Sequence, residues 1–97
     1  MTKNMKKAVK RFNKVMSICE DLNVLEIKED GTLQAYYDQD FKPASIKDLI
    51  KESEYQLSLH FEGGHSLNDL KYEDSKEWYR RVGMLKRLIK FLKNQEV

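Results

Sequence analysis

An α+β domain is predicted: a two-layer sandwich in which two long amphipathic helices cover one side of a small three-stranded antiparallel sheet. Three observations predict it. Apolar residues recur at helical spacing near both termini, alternate with polar residues in between, and an Asp-Gly step joins two of the alternating runs. Helical stripes and one-sided strands must each bury their apolar side, and laying the helices on the sheet does so economically. Ninety-seven residues, 40% of them hydrophobic, supply one core and not two, so residues 1–97 are read as a single domain.

The element order is α-β-β-α-β-α. A first helix is expected from about Lys3 to Asp21. Met5, Ala8, Val9, Phe12, Met16 and Cys19 fall in one arc of it, and Lys3, Lys7, Lys10 and Lys14 fall in the opposite one. Asp21-Leu22-Asn23 ends it. Leu25 and Ile27 then alternate with Glu26 and Lys28, Glu29-Asp30-Gly31 supplies a turn, and Leu33, Ala35 and Tyr37 alternate with Gln34, Tyr36 and Asp38, which together read as a hairpin. The segment from Asp38 to Ala44 carries the only proline and reads as loop. Ser45 with Asp48 makes a capping box for a short helix to about Ser53, burying Ile46, Leu49 and Ile50.

Tyr55, Leu57, Leu59 and Phe61 alternate with Gln56, Ser58, His60 and Glu62 as a third strand, stopped by Gly63-Gly64. Residues 65–73 read as irregular, with a Ser66 cap and one helical turn around Leu67–Leu70. Asp74 or Ser75 opens a last helix to about Asn94. Its seam is Trp78, Val82, Leu85, Ile89 and Leu92, with Leu88 alongside and Lys76, Arg80, Arg87 and Lys90 roughly opposite. The open sheet face would carry Glu26, Lys28, Gln34, Tyr36, Asp38, Gln56, Ser58, His60 and Glu62.

Charge is sorted along the chain. Residues 1–19 hold six bases and no acid, residues 20–77 hold 15 acids and six bases, and residues 78–97 hold six bases and one acid. A net charge of +2 therefore hides two cationic ends and an anionic middle, a separation that selects partners and speeds encounter. The leading expectation is a non-catalytic interaction protein. Glu29, Asp30, Tyr36, Asp38, Asp40, Glu52 and Glu62 would form its partner-binding face, the acids occupying a basic groove and Tyr36 anchoring it. Its size and its 14 lysines against four arginines look like those of small phage or mobile-element accessory proteins. The partner expected on that ground is a host protein that handles nucleic acid, blocked as an anti-CRISPR inhibitor blocks its nuclease. The alternative is direct DNA or RNA binding by Lys3, Lys7, Lys10, Lys14, Arg80, Arg87 and Lys90. A homodimer through the open sheet face or an edge strand is the plain competitor.

Other chemistries find little support. His60, Glu62 and His65 with Cys19 are the residues that suggest a metal, but no pair has the tight spacing of a zinc site and Cys19 lies in an apolar seam, so neither metal nor cofactor is expected. No nucleophile–base pairing stands out, and Gly63-Gly64-His65-Ser66 lacks the phosphate-loop pattern, so no enzyme is expected. There is no apolar run of membrane-spanning length, no apolar leader follows the basic N-terminus, and the single cysteine suits a reducing, cytoplasmic setting.

Overall fold

A computed structural model describes residues 2–19, 25–36 and 40–96, and within them each helix starts at a side chain that accepts one of its unpaired N–H groups. Thr2 Oγ1 takes the Met5 N–H at 3.1 Å and opens α1, Lys3–Ile18. β1 (Leu25–Ile27) and β2 (Leu33–Ala35) pair antiparallel, with Leu25 opposite Ala35 and Ile27 opposite Leu33. Ser45 and Asp48 form the reciprocal capping box of α2, Ile46–Leu59. His65 Nδ1 accepts the Leu67 N–H at 3.1 Å and starts α3, Ser66–Glu73, so His65 and not Ser66 is the cap. Asp74 accepts the Glu77 N–H at 3.3 Å at the head of α4, Ser75–Asn94.

The hairpin closes as its sequence requires. The Gly31 N–H reaches the Lys28 carbonyl and the Lys28 N–H reaches the Thr32 carbonyl, each at 2.9 Å. Gly31 sits at φ 86°, the left-handed conformation that glycine adopts without a Cβ penalty. The expected end of the first helix at Asp21-Leu22-Asn23, and Tyr37 and Asp38, lie outside the described residues.

The third strand is not formed. The segment predicted to alternate from Tyr55 to Phe61 instead continues α2 to Leu59 and turns at His60. The physical reason lies in which residues helix geometry buries. Leu49, Ile50, Ser53, Gln56 and His60 fall on one side, and the polar members find partners within the helix. Ser53 Oγ donates to the Leu49 carbonyl at 2.7 Å, Gln56 Nε2 donates to Glu52 Oε1 at 3.0 Å, and His60 Nδ1 bonds the Gln56 carbonyl at 2.8 Å. Tyr55 and Phe61, assigned to the buried face of a strand, are 57% and 54% exposed. Gly63-Gly64, with Gly64 at φ 81°, does not stop this element: α2 has already ended at Leu59, and the glycines lie in the turn that leads to α3.

The architecture is therefore α+β with four helices and a two-stranded hairpin among the described residues, rather than a sandwich on a three-stranded sheet. α4 is the central element, and α1, α2 and α3 all pack against it. One cluster joins Met5, Val9, Phe12 and Met16 of α1, Leu25 and Ala35 of the hairpin, Leu49 and Ile50 of α2, and Leu85, Leu88 and Leu92 of α4. The shortest axis is 18 Å, about two helix layers deep. A helix packed in such a slab has one face on the core and leaves the other to solvent. No described helix is long and apolar enough to cross a membrane.

Candidate functional site

The outer face of α1 is the most sharply defined surface of the molecule. Lys3, Lys7, Lys10 and Lys14 recur at i, i+4, i+7 and i+11, all exposed, along about 16 Å of helix at 1.5 Å per residue. Lys6 and Arg11 flank them, and the guanidinium of Arg11 lies 5.7 Å from the centre of the Phe91 ring on α4. Lys7, Lys10, Arg11 and Lys14 line one open hollow of about 660 Å³ whose far wall is Phe91. None of the six cations has a carboxylate of a described residue within ion-pair distance.

Helix stability does not explain this placement. α1 has no acid in its first turn and no base in its last, so its cations begin at the positive end of the helix dipole. Lys3–Lys7 and Lys10–Lys14 are like-charge i,i+4 pairs, each costing roughly 0.2–0.5 kcal/mol. The strip is maintained at a local electrostatic cost.

The cations of α4 divide into two groups. Arg80 and Arg81 converge on Glu77 at 3.0 Å each. The Arg81 hydrogen bond, with Arg80 adding to it, holds the Glu77 carboxyl below the usual range. Lys93 approaches Glu54 of α2 at 4.0 Å. Arg87 lies back over Gly83, one turn before Phe91, and Lys90 is exposed; neither has an ion pair with a described residue. Of the seven cations expected to act together, Arg80 is thus engaged by Glu77.

The described members of the acidic set are spread over several elements. Glu29 and Asp30 occupy the hairpin turn, where Asp30 Oδ1 accepts from the Thr32 hydroxyl at 2.6 Å and the Thr32 N–H at 2.9 Å, and the hydroxyl bond leads in holding its carboxyl below the usual range. Asp40 precedes α2. Glu52 shares a small hollow on α2 with Lys42 and Lys51. Glu62 sits in the turn between α2 and α3, and Asp38 lies outside the described residues. Tyr36, 66% exposed, follows β2, but His60 is not beside it on a sheet face.

Cys19 is fully buried in the core, and burial raises its thiol pKa. Glu62 is exposed and His65 caps α3, so the four residues weighed for metal do not converge; among the described residues no three His, Cys, Asp or Glu side chains could hold an ion. His60 is 0% exposed. Its carbonyl accepts the Trp78 indole N–H at 2.9 Å, and its Nε2 has no hydrogen-bond partner. Burial pushes its imidazole pKa down against the opposing Gln56 carbonyl bond, and the charges of Arg81 and His65 lower it further.

The folded state thus takes up this proton less readily than the unfolded chain. Stability is intact above about pH 6.5, the unfolded imidazole value, and falls as pH drops below it, by at most about 1.4 kcal/mol per unit for one proton. Thermal unfolding at about pH 7.5 and 5.5 should show a lower Tm at the acid value, and His60→Gln should reduce the difference. An equal drop in the variant would clear His60 of the effect.

Asn13 was not marked by the sequence. Its amide grips the Leu25 backbone from α1, Nδ2 to the carbonyl and Oδ1 from the N–H, both at 2.7 Å. No sequence signal could have found it, because the partner is a backbone group 12 residues away. Compared with protein-family models, with curated proteins and with solved structures, the chain matches none.

Proposed function

We propose that this protein is a non-catalytic nucleic-acid-binding protein that sets the outer face of α1 against phosphates. The observation that carries this reading is the α1 strip: six cations without a described carboxylate partner, set against the helix's own dipole. A polyanion would remove that cost on binding. The apolar stripe of α1 is buried in the core, so this helix has no apolar face to insert into a membrane surface.

A nucleic-acid titration tests it. Binding should appear at about 50 mM salt, and the triple charge reversal Lys7→Glu, Lys10→Glu, Lys14→Glu should weaken it by at least ~100-fold. These side chains are exposed, so Tm should hold or rise as like-charge repulsion is relieved. Equal binding by the reversed protein would remove the reading.

A second reading is an inhibitor that docks on a host nucleic-acid-handling protein. It is favoured by Tyr36, 66% exposed on the same hairpin as Glu29 and Asp30, an aromatic of the kind that anchors protein interfaces. Absence of nucleic-acid binding at low salt leaves this reading in place of the first.

A further inference from the structure

Among the described residues, two groups that could read base sequence from this surface, Asn13 and Ser17, are already engaged, and Arg11 is held over Phe91. Base edges are discriminated by bidentate Asn or Gln on adenine and by bidentate Arg on guanine. Asn13 uses both ends of its amide on Leu25, at 2.7 Å each. Arg11 holds its guanidinium over Phe91. The Ser17 hydroxyl donates to the Lys14 carbonyl at 2.9 Å. Asn4, exposed, lies about 60° around the helix from Lys7 and about 20° from Arg11, at the edge of the strip rather than on it. The strip itself is lysine, a point charge with donors and no acceptor.

Among the described residues no stacking platform stands on this face either. Single-strand binders lay bases on exposed aromatic rings. Phe12 of α1 is fully buried, and Phe91 is half-buried beneath Arg11. The exposed aromatics Tyr36, Tyr55, Phe61, Tyr72 and Tyr79 all stand on other elements. A row of lysines about 16 Å long meets the densest line of phosphates on a duplex, which carries one charge per roughly 1.7 Å of axis.

We infer that the α1 face takes double-stranded nucleic acid through its phosphates alone, without regard to base sequence. The inference rests on the nucleic-acid reading above and narrows it to one form. Four to five lysine–phosphate contacts give a logarithmic salt slope of roughly −3.6 to −4.5, a loss of about 150- to 500-fold in affinity between about 50 and 200 mM salt.

The experiment is an anisotropy titration with the full chain against two labelled duplexes of about 20 base pairs, equal in composition and scrambled in order, and against their separated strands. The two duplexes should bind within about threefold of each other, the strands at least tenfold more weakly, with the stated salt loss for both duplexes. A preference above tenfold for one duplex, or tighter binding of single strands, overturns the inference and leaves the nucleic-acid reading intact. No binding to any of the four at low salt overturns both.

Discussion

Replacing Phe12 by alanine should destabilise the protein by about 3–5 kcal/mol. Phe12 has no exposed surface, and its ring stacks on Phe41 at a centroid distance of 6.4 Å. It belongs to the cluster in which α1, the hairpin, α2 and α4 meet. Truncation there removes the transfer free energy of a whole ring and leaves a void that four elements of fixed length cannot close together. A domain of this size holds about 5–15 kcal/mol in total, so the change takes a large share of it. Tm should fall by about 12–40 °C, read by circular dichroism, while Phe12→Leu, which keeps most of the volume, should cost less than half as much. A loss below about 1 kcal/mol in the alanine variant would mean that α1 is not packed at the centre of this core. Phe12 faces away from the lysine strip, so any folded fraction should keep its nucleic-acid affinity.

The same residue shows what was legible in advance. Met5, Ala8, Val9, Phe12, Met16 and Cys19 announce α1 by spacing alone, and all six are buried. The Asp30-Gly31 turn and the Ser45–Asp48 capping box are local chemistry, complete within a few residues, and both stand where the sequence places them. Tyr55 to Phe61 misled because its alternation is real while the helical stripe beneath it is half polar. A stripe running Leu49, Ile50, Ser53, Gln56, His60 does not register as apolar, although each of its polar members bonds within the helix. A signal was present in the lack of any Gly, Pro or Asn between Ile46 and Glu62, which leaves the capped helix no reason to stop at Ser53.

The candidate site divides along the same line. The lysine strip of α1 depends only on helix spacing and was visible. The scatter of the acids over a turn, a loop, α2 and a second turn depends on tertiary placement and was not. Neutralisation of Arg80 by Glu77 is an i,i+3 relation that spacing could have revealed.

Replacing Asn13 by leucine should release the hairpin. Strands of three residues are marginal by themselves, and this pair is held by the burial of Leu25 and Ala35 and by the two bonds from Asn13. Leucine removes both partners at once and leaves the Leu25 N–H and carbonyl under a side chain that is 4% exposed. Each orphaned group costs about 1–3 kcal/mol, so the loss should be about 2–4 kcal/mol once some water has entered. Asn13→Asp separates the two bonds, because its carboxylate still accepts the Leu25 N–H but turns an oxygen, not a donor, toward the Leu25 carbonyl. Native-state hydrogen exchange is the decisive readout. In Asn13→Leu the amides of β1 and β2 should exchange well before those of α4, as a local opening that leaves the helices folded. If hairpin protection instead persists up to global unfolding, apolar contact alone holds it to α1. Asn13 would then be free to serve the lysine face, and the case against base reading there would lose its first premise.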